Sequence, residues 1–253
     1  MTTLNFTVVD ADGRHPLSVD LARCYNLGFT MRDAEKMQRH LEECYALGVP
    51  ELVCDRPPLV MPVSPWTVLT DSKVAVQRPK TSGEVEIVTL ADADGTVYVG
   101  VGSDHTDRPL EGIDIPWAKQ VAPNLVAPTL WRWEDVKDHW DEVRMSCTVV
   151  DQGETVEYQD ASVAEFWTPA EMLQGVRESV VPVPGAIILF SGTVVTLDEK
   201  LRFAEKWTLR MTDPVLDREL EYTYDIEVLA SEVLNDGSAS GDVAKGEKNM
   251  TSA

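Results

Sequence analysis

Basic charge, cysteine and long apolar runs are all scarce in this chain. Lys and Arg together number 22 against 43 Asp and Glu, a formal net charge of −21. That balance repels nucleic acid and anionic membranes, and neither is expected as a partner. It does not exclude an anionic small molecule, because a local cation or metal reverses the sign inside a cleft. The four cysteines, Cys24, Cys44, Cys54 and Cys147, form no CxxC pair and no zinc spacing. They read as reduced thiols of a cytoplasmic protein. No stretch reaches the roughly 18 apolar residues of a membrane helix. The start, MTTLNFTVVD, has no basic segment ahead of an apolar one, so no signal peptide is expected. HExxH, Walker A, GxGxxG and GxSxG motifs are absent, as is the paired-histidine cluster of a cupin.

What remains is a 253-residue chain that is 43% hydrophobic, enough for a sizeable core. One domain over residues 1–234 is expected. The tail over 235–253, NDGSASGDVAKGEKNMTSA from Asn235, is polar and rich in Gly and Ser and is expected to be disordered. Strand-like segments dominate, at 4–9, 17–21, GAIILFSGTVV, KWTLRMTD and LEYTYDIEVL. A helix is expected after Thr30, where Asp33 stands three residues on. Ala34, Met37, Leu41, Cys44 and Tyr45 then recur at helical spacing as far as Gly48. PAEMLQGVRE reads as a second short helix starting near Pro169. The tryptophans of LWRWEDVKDHW are assigned to the core, although an apolar surplus there also suits a subunit interface.

The chemistry concentrates in GEVEIVTLADADGTVYVGVGSDHTDR, residues 83–108. Segments 84–90 and 96–102 predict a β-hairpin around ADADG. Alternate side chains of a strand share a face, so Glu84 and Glu86 point the same way, and Val88 and Leu90 continue that face as apolar. A turn centred on Ala93 sets Glu84 opposite Gly102 and Glu86 opposite Gly100, with Asp104 following on the glutamates' face. The two glycines would then leave open space before the carboxylates. Two readings stand side by side: an edge strand charged for solubility, or an oxygen-ligand site for Mg²⁺, Mn²⁺ or Ca²⁺, whose cation relieves the mutual repulsion of three carboxylates. His40 and Glu43, three apart on the expected helix, share a face; on the residues alone they read first as a surface pair, and second as a base with its orienting carboxylate. His15 and His139 read as surface residues.

EVEIVTL followed by GSDHTDR resembles the metal-binding core of the fumarylacetoacetate hydrolase superfamily. PWAKQVAP, VPGAIILFSGT and RHLEECYALGVP resemble further segments of it, in family order, over roughly residues 25–230. The overall wording is most similar to an uncharacterised branch. Ser103, Asp107 and Phe190–Ser191 depart from the family pattern. The resemblance implies a mixed α/β, predominantly β fold, a β-roll with short peripheral helices. It implies Glu84, Glu86 and Asp104 as ligands of Mg²⁺, or of Mn²⁺ or Ca²⁺, and His40, Glu43 and Lys119 as catalytic residues. Arg108 and Thr193 become substrate contacts, Arg108 having an equal structural reading as the partner of Asp107 or Glu111. His105, by its place beside Asp104 rather than by the resemblance, reads as a substrate contact or a support of the ligands, and equally as a histidine satisfied in a turn. The implied activity is hydrolysis of a C–C bond in a dicarbonyl or 2-oxoacid by a homodimeric enzyme. Decarboxylation, isomerisation or tautomerisation on the same metal is the second reading. A binding protein that kept the fold without catalysis is the third.

Overall fold

The computed structural model describes residues 2–46, 54 and 56–232. Six of its strands close into a barrel. Thr2–Asp10 pairs antiparallel with Gly13–Gly28, which runs parallel to Ala186–Phe190. Ala186–Phe190 pairs with Glu86–Ala91, and Glu86–Ala91 with Val97–Asp104. Thr129–Arg132 then joins Val97–Asp104 to Thr2–Asp10 and completes the ring. Closure leaves these strands no free edge, which rules out the charged-edge reading of Glu86.

Alternation divides the strand residues between two cores. Val88, Leu90, Ile188, Phe190 and Leu130 fill the barrel with Phe6 and Leu21. Ile87, Val99 and Val101 point outward against a second, five-stranded sheet. Its order is Glu154–Ser162, Arg144–Asp151, Lys206–Asp213, Arg218–Val228 and Lys73–Val76. Trp207 and Tyr224 of that sheet are fully buried between the layers. The fold is thus predominantly β with short helices outside, as expected. Trp131 and Trp140 are core residues, 1% and 2% exposed, which settles where the apolar surplus of that segment goes.

Three expectations need correction. The helix is Ala34–Ala46, and Asp33 rather than Thr30 caps it, accepting from the N–H groups of Glu35 and Lys36. Thr30 instead donates to the Ser191 carbonyl. The hairpin turns one residue later than expected. Glu86 lies opposite Gly102 and Val88 opposite Gly100, with Asp92 and Thr96 closing the turn. Two residues of register keep the face, so the carboxylates stay together. The two glycines leave no open space. A Cβ on Gly102 would stand 2.4 Å from the Leu125 carbonyl and 2.5 Å from Val88, so glycine there permits close packing of the strands. Residues 235–253 lie outside the described residues.

Candidate metal centre

Glu86 and Asp104 sit where the barrel's apolar face ends. Glu86 is two residues before Val88 and is 1% exposed; Asp104 is two residues past Gly102 and is 3% exposed. Glu84 lies just ahead of the strand. One carboxylate oxygen from each of the three falls within 4.8 Å of the others. The backbone carrying them is braced on every side. The Glu84 N–H donates to Ser103 Oγ at 2.9 Å, the Val85 N–H to Gln159 Oε1 at 2.9 Å and the Ile87 N–H to Ser191 Oγ at 3.0 Å. Ser103 and Ser191, two departures from the family pattern, are thereby used as backbone clamps. Gly192, at φ 84°, turns its N–H onto Glu86 Oε2 at 3.0 Å. That positive φ is one a side chain would strain.

Two cations enter the cluster. Arg108 reaches Glu84 at 2.5 Å, Glu111 at 2.7 Å and Ser82 Oγ at 2.5 Å. Lys119 lies 2.5 Å from Asp104 and 3.5 Å from Glu84, and donates to Thr106 Oγ1 at 2.9 Å. Arg108 therefore pairs with Glu111, one of its two expected structural partners. The other, Asp107, caps the helix Arg108–Glu111 instead. Burial pushes the Glu84 carboxyl upward, but Arg108 and Lys119 outweigh it and hold the group at about 2. Burial and the charge of Asp104 push Glu86 well above the usual carboxylate range. Burial likewise raises Asp104, to about 6 against the pull of Lys119. Among the described residues Glu84, Glu86, Asp104 and Glu111 face only Arg108 and Lys119, so with every carboxyl ionised this cluster carries two surplus negative charges.

That surplus, an all-oxygen donor set and one further feature fit a hard divalent cation. The further feature is a pair of buried oxygens without hydrogen-bond partners, Asp104 Oδ1 and Asn26 Oδ1. Asn26 is 1% exposed, and its amide nitrogen is 3.5 Å from Asp104 Oδ2. Sequence reasoning missed it, although one polar residue inside the apolar run CYNLGF was a usable signal.

A cavity of about 570 Å³ opens over the carboxylates and is also lined by Arg108, Lys119 and Thr193. Thr193 has its hydroxyl in use. It donates to the Val85 carbonyl at 2.9 Å and accepts from Gln159 at 2.9 Å. His105 is not brought to the cavity. It is wholly buried, bonded to Thr81 at 2.9 Å and within 3.3 Å of Tyr224, and burial, with the Arg108 charge, lowers its pKa to about 3. It supports the strand behind Asp104 as a neutral ring. The helix Ala34–Ala46 presents Met37, Leu41 and Tyr45 to the cavity. The side chains of His40 and Glu43 lie outside the described residues.

The family model described as "Protein of unknown function (DUF2848)" matches residues 27–224. No curated protein matches the sequence significantly. Solved structures do resemble the fold. A 2-keto-3-deoxy-D-arabinonate dehydratase complexed with magnesium and 2,5-dioxopentanoate is 13% identical, with a TM-score of 0.56 over 87% of this chain and 79% of that one. A 5-carboxymethyl-2-hydroxymuconate delta-isomerase from Mycobacterium smegmatis is 12% identical, with a TM-score of 0.54 over 86% and 87%. A 2-hydroxyhepta-2,4-diene-1,7-dioate isomerase from Mycobacterium marinum is 10% identical, with a TM-score of 0.53 over 90% and 99%.

Proposed function

The chain belongs to the DUF2848 family and has a fumarylacetoacetate hydrolase-like fold, and from that premise we propose that it is a divalent-cation-dependent enzyme hydrolysing a C–C bond in a dicarbonyl or 2-oxoacid. The observation that carries this reading is the buried trio Glu84, Glu86 and Asp104, with two surplus negative charges, on the floor of a ligand-sized cavity. These three residues would hold Mg²⁺, or Mn²⁺ or Ca²⁺. When bound, such an ion supplies Lewis-acid polarisation of a carbonyl and balances the charge that develops on its oxygen. Arg108 keeps Glu84 ionised and fixes its orientation. Lys119 holds a proton at Nζ beside Asp104, where an ammonium stabilises negative charge arising above the floor. The Gly192 N–H orients Glu86. His40 is the residue proposed to take a proton from water, with Glu43 orienting its ring.

His40→Ala should keep Mg²⁺ binding and lose roughly two to four orders of magnitude in turnover, the usual weight of a general base. Glu43→Gln should lose less. Parental C–C hydrolysis by His40→Ala would remove the pair from the mechanism. The second reading is decarboxylation, isomerisation or tautomerisation of an oxoacid on the same metal, which needs no activated water. His40→Ala that still decarboxylates or isomerises an oxoacid, without hydrolysis, would select it. The proposed setting is a cytoplasmic homodimer. No helix among the described residues is long and apolar enough to cross a membrane. With Trp131 and Trp140 buried in the core, the exposed Trp66, Ile113, Trp117 and Val121 offer the apolar surface for pairing. Light scattering giving a monomer mass at micromolar concentration would refute the dimer.

A further inference from the structure

The cavity over the carboxylates has two unlike ends. Its floor carries the charged groups. The rest of its wall is largely hydrocarbon, formed by Met37 and Leu41 of the Ala34–Ala46 helix with Met61, Phe166, Val194 and Leu201. Arg108 and Lys119 are the cations lining it among the described residues, and both are already held by carboxylates. On the loop beside Leu201 the charged residue that lines the cavity is Glu199, an acid; Lys200 and Arg202 flank Leu201 but do not line it, and Arg202 is paired with Asp151 and Asp198. Among the described residues no cation lines the apolar end to meet a second carboxylate on a ligand, and burying one there is strongly unfavourable. A hydrocarbon tail would instead be removed from water against matching surface.

Tyr158 is 1% exposed and lines the cavity, yet its hydroxyl has no hydrogen-bond partner. The backbone N–H of Arg202 lies near the phenol oxygen without completing a hydrogen bond, and it offers no acceptor for the phenol proton. A buried hydroxyl left without an acceptor is costly, and a ligand oxygen would satisfy it. The ring is fixed edge-on against Trp207 at 5.3 Å between centroids, so the hydroxyl is held in place before any ligand arrives.

We propose that the substrate is a 2-oxoacid or acylated dicarbonyl with one anionic head and a hydrocarbon or aryl tail, the head accepting a hydrogen bond from Tyr158 and the tail lying along the Met37–Leu41–Leu201 wall. The inference rests on the reading of the floor as a divalent-cation site for an oxoacid head, and it goes further in naming what the head is attached to. A dicarboxylate or a polyol acid fits the floor equally well but not the wall.

Calorimetry on the full-length protein in saturating Mg²⁺ separates the two layers. Oxalate is too short to touch the wall and probes the floor alone. The series pyruvate, 2-oxobutanoate, 2-oxohexanoate and 2-oxooctanoate probes the wall. Affinity should rise by about fourfold per methylene until the wall is filled. The monoanion 5-methyl-2-oxohexanoate, whose tail is uncharged, should bind at least about tenfold more tightly than 2-oxoglutarate, which has the same shape and a second carboxylate. Tyr158→Phe should weaken every member by a similar factor, about fivefold, while leaving the step per methylene intact. Leu201→Lys, at an exposed rim position that tolerates substitution, should narrow or invert the preference over 2-oxoglutarate. Oxalate binding combined with a flat series, or with 2-oxoglutarate equal to its isostere, overturns the inference and leaves the reading of the floor standing. Parental affinities in Tyr158→Phe remove Tyr158 from the head site. Failure of oxalate itself overturns the reading of the floor and the inference with it.

Discussion

Two buried acidic clusters in this molecule are built from similar parts and behave in opposite ways. Asp213, at the end of a strand in the five-stranded sheet, is fully buried. It accepts from the backbone N–H groups of Val215 and Leu216 and pairs with Arg218 at 3.0 Å, with His139 Nε2 also 3.0 Å away. Arg218 is itself stacked 4.6 Å over the Trp131 ring. Burial alone would raise the Asp213 carboxyl, but the contacts from His139, the Leu216 N–H and Arg218 outweigh it and hold the group below its usual range. Asp104, at the end of a barrel strand, is equally hidden, and its carboxyl is pushed up to about 6. The first acid has more partners than it needs. The second shares two cations with three other carboxylates, and its Oδ1 has no hydrogen-bond partner. The Asp213 carboxylate finds its partners within the chain, although His139 Nε2 and Arg218 Nη2 beside it complete no hydrogen bond; the carboxylates around Asp104 leave charge and oxygen lone pairs for something else to satisfy.

The largest expected separation between the clusters is in metal affinity. Glu86→Gln keeps the size and the acceptor for the Gly192 N–H but removes one ligand charge. It should lower Mg²⁺ or Mn²⁺ affinity by about a hundredfold or more and abolish turnover, in line with loss of a direct oxygen ligand. Asp213→Asn should leave metal affinity within about twofold. Calorimetry on both variants decides the matter. Equal Mg²⁺ binding by Glu86→Gln and the parent would return the trio to a merely structural role.

Stability should respond with opposite signs. Asp213→Asn strips charge from Arg218 and His139 and should cost about 2 kcal/mol, an unsatisfied-partner penalty reduced because Asp213 lies beneath only a thin cover of protein. Glu86→Gln, measured in EDTA, should gain about 1–2 kcal/mol, because it relieves burial and like-charge repulsion without losing the hydrogen bond. Urea melts of both proteins test the pair. Destabilisation in both would mean that the mouth of the barrel is as self-contained as the Asp213 cluster.

The difference between the clusters also explains what was legible in the sequence. The binding cluster is written locally. Two glutamates at spacing two, a run that turns apolar on their face, and a return strand ending in Asp104 follow from alternation alone. A register error of two residues left that conclusion intact, since strand faces repeat with period two. Lys119 and Arg108 needed the family resemblance, because nothing in their spacing says that they fold back onto Glu84. The Asp213 cluster was illegible. It joins Asp213 and Arg218 to His139, some 75 residues earlier, and His139 was read as a surface residue although its side chain is only 14% exposed. The hairpin of Arg144–Asp151 and Glu154–Ser162 was also missed, and with it Tyr158 and Gln159. Its alternation is diluted by Thr, Glu and Gln on the solvent face. His105 carried two readings, a substrate contact or a histidine satisfied within the fold, and its burial against Thr81 and Tyr224 favours the second.

The smallest effect, and the one that separates the clusters most directly, is the pH dependence of stability. In the metal-free protein Asp104 titrates at about 6, above the roughly 3.9 of an unfolded aspartate. Between those values the folded state takes up a proton that the unfolded chain does not. Stability should therefore rise as the pH falls from 7 to 5, by about 1 kcal/mol from Asp104, or a melting-temperature gain of about 2–4 °C for a chain of this size; Glu86, raised well above its usual range, acts in the same direction. Glu84 works the other way. Held at about 2, it contributes stability above the unfolded glutamate value and loses it as pH falls toward 2, below this window. Asp213, also lowered, behaves like Glu84. Saturating Mg²⁺ should reverse the trend, because the ligand carboxylates must be ionised to bind it and stabilisation by the ion fades on acidification. The net charge of −21 would also make mild acid favourable by relieving general repulsion. Asp104→Asn separates these causes, since it keeps the net charge within one unit and removes the titrating group. Melting curves of parent and variant at pH 5, 6 and 7, each in EDTA and in Mg²⁺, should show the acid-side gain in the metal-free parent and a gain smaller by about 1 kcal/mol in Asp104→Asn. An identical gain in both would assign the effect to Glu86 and overall charge and leave Asp104 as quiet as Asp213.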